Sequence, residues 1–178
     1  MNSPRVFFVA FAAVVILGIA LPTSAYAAPG DTSASVTVSG GSLSISVPAA
    51  AGNLGTSANT VGGETISGPL GQVQVNDARN AAAGSGWVAS VISTAFTPSA
   101  GPAIPASAVS YTAGSIVQVG TATYTADNPA NLTGVVPAVT ATGITGDNSA
   151  TWTPTINVTV PGGMAPGVYT ATITHSVL

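Results

Sequence analysis

The sequence predicts an all-β fold, an antiparallel β-sandwich of the immunoglobulin-like type, preceded by the helix of a signal peptide. Two observations lead to the sandwich. Apolar and polar residues alternate with a period of two in many short runs, and glycine, proline, asparagine or aspartate residues separate those runs. After residue 27 no stretch has the 3.6-residue apolar spacing of a helix. Many short alternating strands with regular turns are typical of one antiparallel sandwich domain.

The first 27 residues have the three parts of a secretory signal peptide. Arg5 supplies a positive start, and residues 6–21 form an almost unbroken apolar run of 16 residues. Ala25 and Ala27 then form the small-x-small pattern that signal peptidase recognises. The alternative is a retained membrane anchor, but the run is shorter than the ~20 residues needed to cross a bilayer. We expect residues 1–27 to be removed and residues 28–178 to be secreted as one domain without membrane attachment.

The alternating runs define the predicted strands, and the residues between them define the turns. The predicted strands are 35–39, 43–47, 73–75, 87–96, 109–111, 116–125, 135–141, 152–160 and 169–177. Predicted turns lie at 40–41, 62–63, 76–77, 84–86, 127–129, 146–148 and 161–163. The turn at 40–41 joins the first two strands into a hairpin, and residues 49–63 are expected to form an extended loop.

The composition excludes several classes of function. Charged residues make up 4% of the chain, and only two are basic, so no basic face exists for nucleic-acid binding. The chain has no cysteine and a single histidine, His175, too few for a zinc or iron–sulfur centre or for a cysteine-based active site. Five carboxylates, none paired by spacing, do not suggest glycoside hydrolysis. We therefore expect neither an enzyme nor a cofactor or metal.

Two stretches of the chain resemble the two halves of the WxL domain. The first is Gly-Pro-Leu-Gly-Gln-Val-Gln-Val-Asn-Asp-Ala-Arg at 68–79, followed by Gly86-Trp87. The second comprises Trp152, residues 158–163 and the Gly-x-Tyr-Thr-Ala-Thr strand that begins at 167. The Trp-x-Leu triplets that name the family would fall on residues 87–89 and 175–177, and neither is intact. The WxL domain is a secreted bacterial surface domain that attaches non-covalently to the Gram-positive cell wall through peptidoglycan.

This resemblance implies a secreted, cell-wall-associated protein whose partners are wall glycan or other surface proteins. The alternative is a self-assembling fibre, coat or pilin-like subunit. The predicted terminal strand, 169–177, alternates strictly and ends the chain, so it could add to the open edge of a neighbour. The low charge leaves little repulsion to oppose such assembly.

Four residues are the candidate ligand-binding residues: Asp77, Arg79, Trp87 and Trp152. Each also has a structural interpretation. The tryptophans either fill the core or stack against sugar rings. Asp77 either caps backbone amides while Arg79 pairs with a carboxylate, or Arg79, the only basic residue after cleavage, binds an anionic wall group.

The remaining polar candidates are weaker. His175 is expected to be a strand residue with one satisfied ring nitrogen. Asp127 and Asp147 lie in predicted turns that contain oxygen ligands suited to calcium, although turn chemistry alone explains them.

Overall fold

Ten strands and one short 3-10 turn make up the structure, a computed structural model that describes residues 33–58 and 60–178. The strands are β1 (Leu43–Ser46), β2 (Glu64–Pro69), β3 (Val73–Ser93), β4 (Thr97–Pro98), β5 (Val109–Thr112), β6 (Val117–Ala126), β7 (Val136–Trp152), β8 (Thr155–Val160), β9 (Tyr169–Thr170) and β10 (Ile173–Val177). The 3-10 turn, Ala106–Ala108, precedes β5. The predicted signal peptide, 1–27, lies outside the described residues. Among those residues, no helix is both long and apolar enough to cross a membrane.

The strands form two main antiparallel sheets and a small two-stranded pair. Sheet A has the order β1-β3-β7-β6, and β10 also pairs with β3. Sheet B has the order β2-β8-β5, and β4 pairs with β9. The prediction of an all-β fold built from packed antiparallel sheets is confirmed. Residues 38–178 form one compact unit; the domain start predicted at residue 28 stays a prediction.

The second half of β3 shows how alternation builds the core between the sheets. Trp87, Ala89 and Val91 are buried, whereas Val88 and the other residues between them are only half-buried. These three residues lie on one face of the strand, because side chains alternate with a period of two. Across the core, sheet B contributes further buried apolar side chains: Val109, Tyr111, Ile156 and Val158.

Three of the predicted turns are wrong, because the chain does not reverse there. The dipeptide 76–77 and the tripeptide 84–86 lie within β3, and the tripeptide 146–148 lies within β7. The two long strands stay paired, with register shifts between Asp77 and Trp87. Asn80, Gly84 and Gly146 adopt positive φ values of 51°, 87° and 72°. Residues that tolerate a left-handed backbone occur in β-bulges as well as in turns.

The hairpin predicted from strands 35–39 and 43–47 is also wrong. Residues 33–42 belong to no strand, and β1 pairs with β3, with Leu43 opposite Asp77. The N–H of Gly41 donates to the carbonyl of Ala78 at 2.7 Å. Alternation shows that a segment can form a strand. The strand forms only where the edge of another strand is available to pair with its backbone.

Two of the predicted strands are each divided between two sheets. The prediction 152–160 breaks at 153–154, where the chain leaves β7 in sheet A and enters β8 in sheet B. Pro154 has no N–H for a ladder, and its carbonyl accepts from Leu70 at 2.9 Å. The prediction 169–177 breaks at 171–172, because β9 pairs with β4 while β10 pairs with β3. Strand β2 was not predicted from the sequence.

Candidate functional site

Asp77 and Arg79 form a bidentate ion pair at the start of the bulged part of β3. The Nε of Arg79 donates to Oδ1 of Asp77 at 2.8 Å, and Nη2 donates to Oδ2 at 2.9 Å. The backbone N–H of Arg79 also donates to Oδ1 at 3.2 Å. The Asp77 side chain is completely buried, whereas the Arg79 side chain is 39% exposed. The pair therefore has a fixed inner side and a solvent-facing outer side.

The pair shifts the protonation of both partners. The side-chain hydrogen bonds from Arg79 hold the pKa of Asp77 below its usual value of 3.8, against the opposite effect of burial. The same bonds raise the pKa of Arg79. Asp77 is therefore an ionised carboxylate at neutral pH, and Arg79 remains a cation.

Asn148 connects this ion pair to the aromatic residues of sheet A. Its Nδ2 donates to Oδ2 of Asp77 at 3.1 Å. Its Oδ1 accepts from the indole N–H of Trp87 at 3.0 Å and from the hydroxyl of Tyr124 at 3.2 Å. The Trp87 and Tyr124 ring centroids lie 5.7 Å apart. The network joins β3, β7 and β6, and it satisfies each polar atom that it buries.

A second buried network surrounds Trp152. The indole N–H of Trp152 donates to the hydroxyl of Tyr111 at 2.7 Å, and that hydroxyl lies 3.3 Å from Nε2 of His175. An indole N–H only donates, so the Tyr111 oxygen accepts from it and its own hydrogen can be donated to His175. Burial lowers the pKa of His175 to about 4 and raises the pKa of Tyr111. His175 is therefore neutral at pH 7, and Nε2 of a neutral imidazole can accept from the Tyr111 hydroxyl.

The structural interpretation of the four candidate residues is confirmed. Trp87 and Trp152 are each 2% exposed and fill the core. Asp77 accepts from a backbone amide, and Arg79 pairs with a carboxylate, which is Asp77 itself. Their ligand-binding role stays a prediction, and Arg79 is the member of the four whose side chain reaches solvent.

The two aspartates considered for calcium act within the fold. Asp127 accepts from the hydroxyl of Thr140 at 2.8 Å, and Asp147 accepts from the N–H of Asn80 at 2.8 Å. Within residues 33–58 and 60–178, no three histidine or acidic side chains are grouped as a metal site would require.

A cleft of about 830 Å³, which was not predicted from the sequence, lies between β10 and β2. Ile173 and His175 of β10 line it from sheet A, and Glu64 and Ile66 of β2 line it from sheet B. Residues 47–58 and 164–172 provide the rest of the rim. The only signal in the sequence was the run of small residues at 49–63, predicted as a loop. The cleft depends on which strands become edges, and the spacing of residues along the chain does not encode that.

Within the described residues the chain is an all-β fold of packed antiparallel sheets, with two buried polar–aromatic networks, a partly exposed Arg79 and an open cleft. Comparisons with protein-family models, with curated proteins and with solved structures find no match to this chain.

Proposed function

We propose that this chain is a secreted, non-catalytic protein of the bacterial cell surface that associates non-covalently with wall peptidoglycan. The observation that carries the proposal is the outer edge of Arg79. Its Nε and Nη2 bind Asp77, so Nη1 lies on the far edge of a side chain that is 39% exposed. Nη2 also donates to the carbonyl of Gly86 at 3.4 Å, so Nη1 is the nitrogen whose two N–H groups would bind a ligand. A guanidinium held in one orientation can donate from Nη1 to a carboxylate, and peptidoglycan carries carboxylates on its peptides.

The other three candidate residues act behind Arg79 in this proposal. Asp77 fixes the orientation of the guanidinium, and Trp87 holds Asp77 through Asn148. Trp152 lies beyond Asn148 at the same end of β7, which it ties to sheet B through Tyr111. Arg79 is thus the contact residue, and Asp77, Trp87 and Trp152 are positioning residues.

The buried networks support a role in binding rather than in catalysis. Both carboxylate oxygens of Asp77 accept hydrogen bonds from Arg79, and one also accepts from Asn148. His175 is held beside Tyr111 with its pKa lowered to about 4. A general acid or base works best with a pKa near the operating pH, and neither residue meets that condition.

We further propose that the sandwich is of the immunoglobulin-like type, that it belongs with WxL-like surface domains, and that residues 1–27 direct its export. The support for the type is a pair of antiparallel sheets in which the chain passes from one sheet to the other. The support for the relationship is the set of shared residues described above, from 68–79 to the strand that begins at 167. The support for export is the apolar run followed by Ala25 and Ala27.

A pelleting experiment tests wall association. Secreted protein is incubated with isolated cell walls, the walls are sedimented, and the protein in both fractions is quantified. We expect it in the pellet, and we expect soluble wall fragments to release it. A parallel sample without walls corrects for self-association. Protein that stays in the supernatant across ordinary salt and pH contradicts the proposal.

A further inference from the structure

The segment 35–39 has the sequence of a strand but belongs to no sheet. Its residues are Ser-Val-Thr-Val-Ser, a strict alternation of polar and β-branched apolar side chains. Within the described residues it lies outside every strand, and Val36 and Val38 are 90% and 89% exposed. In an extended conformation Val36 and Val38 would lie on one face of the segment, because side chains alternate along a strand.

The cleft described above is bordered by a strand edge that could accept one additional strand. One wall is β10, which pairs with β3 and with no other strand of the described residues. Leu178 and Val88 exchange both backbone hydrogen bonds, and Thr172 accepts from Thr94. Along an antiparallel strand, every second residue bonds to the neighbouring strand. The backbone N–H and C=O groups of Ile173, His175 and Val177 therefore point away from β3.

The interior of the cleft matches the apolar side of such a strand. Phe96, Val158 and Ile173 line it with apolar side chains, and Ile66 faces it from sheet B. β10 contains five residues, and five extended residues span about 17 Å. The segment 35–39 has the same length and no charge, so no ionised side chain would be buried on its entry.

We propose that the segment 35–39 of a second copy of this chain adds to the edge of β10 and places Val36 and Val38 in the cleft. Addition of a strand to an open sheet edge is a common mode of protein association. The occupant comes from another copy, because in its own chain the segment leads into β1 through Gly41, which is held to Ala78, and leaves both valines in solvent. Repetition of the contact joins the copies head to tail.

Assembly in solution, without walls, tests the proposal separately from wall binding. The secreted chain is compared with a double variant, Val36→Asp with Val38→Asp, by light scattering over a range of concentrations. The control is Val61→Asp with Val117→Asp, which adds the same charge at two other exposed valines, 100% and 68% exposed. All four sites are solvated, so each variant is expected to fold.

We expect the unmodified chain and the control to assemble as concentration rises. The variant in segment 35–39 should remain a single chain, with a dissociation constant at least about tenfold higher. A monodisperse monomer of the unmodified chain at about millimolar concentration overturns the proposal. An equal loss of assembly in both double variants overturns it too, because it would assign the effect to charge alone.

Engineered cysteines identify which copy supplies the strand, since the chain has none of its own. A Thr37→Cys protein is mixed with a Thr174→Cys protein and treated with a short bismaleimide. Both sites are exposed and would lie on the outer face of the extended sheet. We expect a cross-linked heterodimer, and none with Thr145→Cys as the second partner. Efficient internal cross-linking in a dilute chain that carries both Thr37→Cys and Thr174→Cys contradicts a second copy as the occupant.

Discussion

The indole N–H of Trp87 donates to Oδ1 of Asn148 at 3.0 Å, although in the strand register the backbone of Trp87 lies opposite Ala141. The intervening residues of β7, and those of β3 between Asp77 and Trp87, must therefore bulge away from the line of the two strands. The hydrogen bond joins the two ends of the bulged region. Through Asn148 it also connects Trp87 to the ion pair of Asp77 and Arg79.

Truncation of Trp87 tests how much its buried ring and its bond to Asn148 contribute to stability. Trp87→Ala should lower the free energy of unfolding by about 3–5 kcal/mol, because it removes a buried ring and leaves a cavity. Trp87→Phe should cost less, since it keeps most of the apolar volume and removes the bond to Asn148. Denaturant titration measures both. On a Trp152→Phe background, emission from Trp87 should be blue-shifted and resistant to soluble quenchers, and a red-shifted, quenchable signal would contradict burial.

Replacement of Arg79 should destabilise the fold. Arg79→Met leaves the buried carboxylate of Asp77 without its cation, and we expect a loss on the order of 2–3 kcal/mol. The figure is below that for a fully buried pair, because water reaches the outer edge of Arg79. Arg79→Lys keeps the charge but loses the two-bond geometry. Its melting temperature should therefore fall between those of the parent and Arg79→Met. An Arg79→Met protein as stable as the parent would contradict the structural role of the pair.

The single histidine predicts how stability depends on pH. The pKa of His175 is lowered by burial from 6.5 in the unfolded chain to about 4 in the folded protein. Stability from neutral His175 is complete above pH 6.5 and decreases as the pH falls towards 4, because only the unfolded chain takes up the proton. The slope is at most about 1.4 kcal/mol per pH unit. His175→Asn should flatten the plot of stability against pH between pH 6.5 and 5. Identical plots for the parent and the variant would contradict the lowered pKa of His175.

Acid should also break the ion pair, at lower pH. Hydrogen bonds from Arg79 hold the pKa of Asp77 below 3.8, so the stability that this carboxylate provides is present above that value and is lost as pH falls through the lower, folded pKa. Denaturation of the Arg79→Met variant should therefore begin at higher pH than that of the parent. Coincident acid transitions would show that the pair does not control the acid limit.

A close backbone contact in the bulge can be tested with a methyl group. A Cβ on Gly86 would lie 2.7 Å from the carbonyl oxygen of Ala141 on the paired strand. Gly86→Ala should therefore lower stability by about 1–3 kcal/mol. Gly134→Ala is the matched control, because a Cβ there meets nothing within 4 Å. Equal melting temperatures for the two variants would contradict the contact.

Much of the sheet content was predictable from alternation alone. Predicted strands at 43–47, 109–111 and 116–125 match β1, β5 and β6 within a residue or two, and the buried face of Trp87 follows from a period of two. The contact between Asp77 and Arg79 was also partly predictable from the sequence, because a basic side chain two positions away can reach back to a carboxylate. Local spacing predicts local contacts of this kind well.

Contacts between distant strands were not predictable in the same way. Glycine and asparagine mark a left-handed backbone, but whether that produces a turn or a bulge depends on the partner strand, as at Gly84 and Gly146. Asn148 as the partner of Trp87, 61 residues away, requires the register of β3 against β7. The cleft could be predicted only by knowing that β10 and β2 are edge strands. These features arise only when the sheets assemble.

The most direct test of wall association compares the bound fraction of three proteins on isolated walls, at a temperature where all are folded. They are the parent, Arg79→Met, and Leu132→Ala, which removes buried volume without touching a charge. We expect the parent and Leu132→Ala to sediment with the walls and Arg79→Met to stay in solution. Equal sedimentation of Arg79→Met and the parent would contradict the assignment of Arg79 as the contact, and absence of all three from the pellet would contradict wall association itself.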